Sequence, residues 1–269
     1  MEIINLDDAL QEQIQGHTSK GDQPKWQLAG KWYKADHMGY EALAEVVTSQ
    51  LLKQSNVPDF VAYEPVLIQY QGKKIPGCVS KNFRRKDEML VPLERLHRSY
   101  KGQSLATVLG RINEPQERIL YTVNFIEQTT GLTGVGEYLT FLLELDSFFL
   151  NEDRHTNNLA VIRNEKTKEF RFCPIFDNGL ALLSDINDYP LDKDVYNCIR
   201  RVHAKPFDLD FDVQVEAAED LYGMQIKFSF SKKAVSKALE FVKELYGEEI
   251  FRRVESVLFE QMRKYPIYF

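Results

Sequence analysis

The sequence predicts a two-lobed α+β chain, with a small sheet and one helix over about residues 1–85 and a mainly helical part over 86–269. Three observations predict it. Short aromatic-bearing and apolar runs, bounded by turn residues, crowd the first 85 positions around a single helical stripe. Helical periodicity dominates from about residue 115 onward. Two short runs near residues 159–176, joined by the polar Glu165-Lys166-Thr167-Lys168, interrupt those helices as a β-hairpin.

The elements follow in order. Residues 16–36 read as a polar, glycine-containing loop feeding two strands that meet at Ala29-Gly30, a tight hairpin. Residues 40–53 place Tyr40, Leu43, Ala44, Val47 and Leu51 on one helical stripe, with Glu41 and Glu45 on its flank and Pro58 beyond its end. Residues 65–83 supply two more strands about a Gly72-Lys73 turn and complete the small sheet. The segment 85–104 is polar and basic without clean periodicity, and reads as the connection between lobes. Helices are then expected at 115–129, 136–150 and 231–262, the last broken near Gly247. If the hairpin turn centres near Thr167, Asn158 and Asp177 fall beside each other at one end of the ribbon.

Composition narrows the function classes. With 269 residues, 43% of them hydrophobic and 28% charged, the chain has the material for a sizeable core and is neither collagen-like nor disordered. Its 34 Lys and Arg against 40 Asp and Glu leave a net charge of −6, which argues against a protein that coats nucleic acid or an anionic membrane. Cys78, Cys173 and Cys198 are odd in number, far apart and without a Cys-x-x-Cys pair, so a reducing cytoplasm is expected. The acidic N-terminal stretch does not read as a secretory signal. The most apolar run, 141–150, is interrupted by Glu144 and Asp146 and is too short to cross a bilayer. His17, His37, His97 and His203 share no ligand spacing with the cysteines, so no zinc site is expected.

The chemistry lies in two strings that flank the hairpin. Asp153-Arg154-His155-Thr156-Asn157-Asn158 follows an apolar helix, and a second acidic residue returns in Asp177-Asn178-Gly179. Phosphoryl transfer needs such a set: one carboxylate to orient or deprotonate the acceptor hydroxyl, and an Asn with a second carboxylate to hold Mg²⁺ against the nucleotide phosphates. Asp153 suits the first role, and Asn158 with Asp177 the second. His155 is placed either to assist at the phosphoryl group or to bridge backbone groups of its own loop. Alone, Asp153 and Asn158 are ordinary loop and turn residues; the downstream Asp177 turns them into a pattern.

That pattern resembles the HipA-like serine/threonine kinases, within the wider protein-kinase and phosphoinositide-kinase superfamily. The family's Asp-x-His-x-x-Asn string is matched at Asp153, His155 and Asn158, and its metal-binding Asp at Asp177. Gly21-Asp22-Gln23-Pro24-Lys25 resembles the family's Gly-x-Gln-x-Lys phosphate loop, so that Gly21, Gln23 and Lys25 are implied to contact the nucleotide. Lys34 takes the place of the lysine that touches the ATP phosphates. For its helix partner the resemblance favours Glu41 over Glu45. The likeness runs from about residue 16 to residue 262.

The resemblance implies a kinase-like fold with ATP and Mg²⁺ bound in the cleft between the lobes, and γ-phosphoryl transfer to a protein serine or threonine. A small DNA-binding, antitoxin-like partner is part of the family's habit, as is autophosphorylation of the phosphate loop, here at Thr18 with Ser19 adjacent. Only about fifteen residues precede the loop, so the N-terminal subdomain of longer members is expected to be absent. Arg200, Arg201 and Lys205 follow Asp177 where kinases receive substrate or an activating phosphate. Two other activities share the layout: a kinase of small molecules or lipid head groups, and a nucleotide-binding pseudokinase that docks partners.

Overall fold

The computed structural model describes residues 2–11 and 23–269. In chain order its strands and helices are β1 (Ile3–Asn5), β2 (Leu10–Gln11), β3 (Lys25–Leu28), β4 (Lys31–Ala35), α1 (Glu41–Leu52), β5 (Tyr63–Tyr70), β6 (Lys73–Lys81), β7 (Glu88–Pro92), α2 (Leu93–Lys101), α3 (Leu105–Leu109), α4 (Pro115–Thr130) and α5 (Val135–Phe149). There follow β8 (Ala160–Asn164), β9 (Phe170–Phe172), α6 (Val195–Ile199), α7 (Phe211–Tyr222), α8 (Lys232–Ala238) and α9 (Glu240–Lys264). Two compact units emerge. One comprises Met1–Asn82, Phe176–Val202 and Lys227–Phe269, the other Phe83–Ile175 and His203–Ile226. These units and the lobes read from the sequence are different divisions of the chain, because the units follow compactness and the chain returns to the first of them twice. No helix among the described residues is long and apolar enough to cross a membrane.

The first unit is built on a sheet of order β1-β5-β6-β4-β3-β2, antiparallel except where β1 joins β5. The β3–β4 and β5–β6 hairpins turn at Ala29-Gly30 and at Gln71-Gly72, with positive φ at all four residues. That geometry matches the twist of the flanking strands, and it places the second turn one residue before the expected Gly72-Lys73. Residue alternation then sorts the faces. Trp26, Tyr33, Ala35, Val66, Ile68 and Val79 join Leu6 in one buried cluster, and the fully buried Trp26 ring lies 5.0 Å from that of Tyr70. Burying side chains of this size contributes about 1.5–3 kcal/mol each, which pins the register of every strand that carries one. Lys34, between Tyr33 and Ala35, must therefore project from the opposite face. Helix α1 covers that face through β4, β5 and β6, and both of its glutamates, Glu41 and Glu45, are buried.

In the second unit β7, β8 and β9 form an antiparallel sheet. The Val161↔Phe172 register puts the hairpin turn at Lys166-Thr167, as expected. Asn164 Oδ1 closes it by accepting from the Lys166 and Thr167 amides at 2.9 and 3.0 Å. Segment 85–104 departs from its reading as a plain connection, because it carries β7 and the amphipathic α2. The buried stripe of α2 is Leu93, Leu96 and the polar His97, and the histidine hides the period. Helix α7 falls where no helix was expected. It is started by Asp210, whose Oδ1 accepts from the Asp212 amide at 2.8 Å, and it packs on α4 and α5.

The two acidic residues that interrupt the apolar run of α5 are both buried. Glu144 receives the Gln225 and Ile226 amides at 2.8 Å each and so ties the segment after α7 to α5. Burial, together with the neighbouring Glu219 carboxylate, outweighs those two donors and pushes the Glu144 carboxyl up to about 8. A folded-state value raised above the ordinary 4.5 means that the native fold holds this proton more tightly than the unfolded chain does. The stability it contributes is complete below about pH 4.5 and is lost as pH climbs to about 8. Melting temperatures recorded between pH 5 and 9, roughly that window, should therefore decline across it and flatten beyond, and Glu144→Gln should reduce the slope. A wild-type profile already flat there would show that Glu144 does not titrate as assigned.

Candidate active site

In the first unit the site is assembled by the sheet and α1. Lys25 on β3 and Lys34 on β4 are directly opposed across the hairpin. Like charges in that arrangement repel, so the pair is tolerable only with an anion at hand. Asp177 supplies one. Its Oδ1 lies 2.8 Å from Lys34 Nζ and 3.8 Å from Lys25 Nζ. Lys34 also donates to Glu45 Oε1, while Glu45 Oε2 accepts from the Asn178 amide at 2.9 Å. Burial by itself would lower the Lys34 amine, but the carboxylates of Asp177 and Glu45 overcome it and hold the group well above its ordinary value. Lys34 is therefore a permanent cation among the sheet, the Tyr63 ring at 5.2 Å, and two carboxylates.

The partner of Lys34 is thus Glu45, not the Glu41 that the resemblance favours. Glu41 is occupied elsewhere. Its carboxylate accepts from the amides of His37, Met38 and Gly39 at 3.2, 2.7 and 3.0 Å, and Asp36 Oδ1 in turn accepts from the Ala42 amide at 2.7 Å. Glu41 is thus spent on the loop that leads into α1, Asp36 satisfies one free amide of the first turn of the helix, and Glu45, one turn further along the same face, is left for the lysine. The same loop packs on the segment after Asp177-Asn178-Gly179. The Gly39 backbone bridges Asp185, and a Cβ at Gly39 would stand 2.0 Å from Ser184 O, so only glycine lets the segment after Asp-Asn-Gly pack this closely. Tyr40 adds a hydrogen bond from its hydroxyl to Leu182 O at 2.9 Å. Gln23 lies beside Gly179. Gly21, Thr18 and Ser19 lie outside the described residues.

In the second unit Asp153, His155 and Asn158 share one tight loop. Asn158 Nδ2 donates to Asp153 O at 2.8 Å and to Asp153 Oδ2 at 3.0 Å. The amide nitrogen is committed to Asp153, which leaves Asn158 Oδ1 as an oxygen donor of the kind Mg²⁺ takes. His155 Nδ1 accepts from the Asn157 amide at 3.2 Å, so in the neutral ring the proton resides on Nε2, 3.7 Å from Asp153 Oδ1. Its Nδ1 thus engages the backbone of its own loop. Lys205 Nζ approaches the same Asp153 oxygen at 3.8 Å.

Two anchors of this loop escape a reading by motif. Asp146 on α5 is fully buried and holds the fully buried Arg154, with Arg154 Nε to Oδ2 at 2.8 Å and an Arg154 terminal nitrogen to Oδ1 at 2.9 Å; Asn151 Nδ2 adds a third donor at 2.8 Å. Burial raises the Asp146 carboxyl against the pull of Arg154. At the other end Thr156 Oγ1 donates to Glu94 Oε2 at 3.0 Å, and the Glu94 amide donates to Thr156 O at 3.1 Å. The signal for the first anchor is in the sequence, as the acid that breaks the apolar run of α5. The second requires α2, which has no clean period. Among the described residues no group of three or more His, Cys, Asp or Glu side chains is placed to hold a metal.

No protein-family model matches the chain, and no curated protein matches it either. Solved structures do. The proinflammatory kinase CtkA of Helicobacter pylori matches with a TM-score of 0.63 and 15% identity, over 97% of this chain and 94% of CtkA. HipA, in the complex of the Shewanella oneidensis MR-1 toxin–antitoxin system HipA and HipB with operator DNA, matches at a TM-score of 0.47 and 11% identity, over 96% of this chain and 67% of that one. The chain has a kinase-like fold, shared with CtkA over nearly its whole length.

Proposed function

We propose that this protein is an ATP- and Mg²⁺-dependent kinase that transfers the γ-phosphoryl group to a serine or threonine hydroxyl of a protein. The observation that carries the reading is the opposed pair Lys25 and Lys34 meeting at Asp177, with Glu45 holding Lys34 from behind. Two cations so arranged suit a polyphosphate, and a carboxylate between them suits the cation that travels with it. Lys34 and Lys25 bind phosphate oxygens, and the Mg²⁺-holding roles of Asp177 and Asn158 rest on the sequence resemblance. The ion, when bound, supplies charge neutralisation at the phosphates. Asp153 orients the acceptor hydroxyl and takes its proton, with Lys205 and His155 facing the carboxylate. An antitoxin-like partner and phosphorylation of Thr18 or Ser19 belong to the same reading and rest on the sequence resemblance.

Incubation with γ-labelled ATP and Mg²⁺ tests it: label on the protein itself or on lysate proteins is expected, whereas label only on small molecules or lipids points to the alternative substrate class. ATP binding without any labelled product points to a pseudokinase. Asp177→Asn separates the metal's residue from the base. It should weaken ATP binding in the presence of Mg²⁺ by about tenfold, as expected for loss of a metal-binding charge, and leave binding in EDTA little changed. Titrations that match wild type in both conditions would remove Asp177 from the metal site.

A further inference from the structure

An open cavity of about 440 Å³ beside the catalytic loop has no part in the scheme above; Glu94, Arg95, Arg98, Ser99 and Asn157 line it. Asn157 belongs to the loop string itself, and the other four stand on α2. Positions 95, 98 and 99 fall on one helical stripe because Leu93, Leu96 and His97 take the buried side. The one acid present is turned to internal use. Glu94 Oε1 accepts from Arg98 Nε at 3.0 Å, and Oε2 from Thr156 Oγ1 at 3.0 Å and the Ala106 amide at 3.2 Å. Burial pushes its carboxyl upward, yet these donors and Ser104 outweigh it and hold the group below its ordinary value.

What faces the cavity is then cationic. The hydrogen bond to Glu94 occupies only the Nε of Arg98, whose side chain is 64% exposed. Arg95 is exposed and, among the described residues, has no carboxylate partner. The Ser99 hydroxyl is turned inward to Arg95 O at 2.9 Å, while Asn157 is exposed. Two guanidinium groups converge on one cavity in a chain whose net charge is −6. A planar carboxylate matches the guanidinium fork, and the open mouth admits it on a peptide.

We propose that this cavity is a specificity subsite that receives an Asp or Glu side chain of the protein substrate, flanking the residue that is phosphorylated. The inference rests on the kinase reading for its meaning, but not for its detection. The first arm measures binding alone. A fluorescent peptide with Glu at alternate positions should bind wild-type protein roughly five- to tenfold more tightly than its Gln counterpart, the scale of one or two exposed charge pairs, and Arg95→Glu should abolish the difference. Equal affinity for the two peptides in wild type, or a preference untouched by Arg95→Glu, overturns the subsite whether or not the protein transfers phosphate.

The second arm uses a peptide array with a fixed Ser/Thr acceptor and varied neighbours. Wild type should select Asp or Glu at one flanking position, and Arg95→Glu should select Lys or Arg there. Phosphorylation of the array without selection at any position also overturns the subsite. Absence of all transfer, beside intact acidic-peptide binding, counts against the kinase reading and leaves the anion subsite standing. Arg95 is the residue to change because Arg98 also anchors Glu94, and through it the catalytic loop.

Discussion

Replacing Asp153 by alanine should lower phosphate transfer by about 10²- to 10⁴-fold, the range of a lost general base, while ATP affinity stays within about twofold of wild type. The asymmetry follows from the loop. Asn158 is held by the Asp153 carbonyl at 2.8 Å as well as by its carboxylate, so the alanine variant keeps a main-chain bond that orients the candidate metal ligand. Lys34, for its part, donates to Glu45 and Asp177. Label transfer measured beside calorimetric ATP titration checks both halves of the expectation. Near-normal turnover would remove Asp153 from the mechanism, and a large loss of ATP affinity would move it to the nucleotide.

The second large effect is on stability. Arg154→Met leaves the buried Asp146 carboxylate without its bidentate partner, and breaking a buried pair from one side costs about 3–5 kcal/mol. For a chain of this size that corresponds to a fall in melting temperature of roughly 10 °C. Replacing both members, Asp146→Leu with Arg154→Met, should recover most of the loss, because no uncompensated charge then remains inside. Activity should not recover with it, since the fork of Arg154 on Asp146 is also what sets the path of the chain from Asp153 to His155. Denaturant unfolding of the two single variants and the double variant decides the point: a double-variant loss equal to the sum of the two single losses would mean that the pair is not coupled.

These predictions draw unequally on sequence and structure. The kinase-like architecture was legible from elements whose patterns are local. Residue alternation in β3 to β6, the single stripe of α1, the periodic α4 and α5, and the hairpin turning at Lys166-Thr167 all state their geometry in adjacent residues. So do Asp153, His155 and Asn158, which lie close enough along the chain for one loop to gather them. The short α2 was not legible, because a buried histidine stands in its apolar stripe, and neither was α7, whose start rests on a single aspartate cap.

What only the tertiary structure decided is which of several chemically equivalent groups is used. Glu41 and Glu45 are both acidic, both on one face of α1 and both buried, and the sequence cannot rank them. The choice is made by the amides of His37, Met38 and Gly39, which occupy Glu41 in the loop before the helix and leave Glu45 to Lys34. Asp146 likewise looks like an interruption in an apolar helix until Arg154 is found against it. Residue types and spacing determined the kind of chemistry this protein can carry. Competition among buried partners for a limited set of donors and acceptors, which exists only once the chain is folded, determined the residues that carry it.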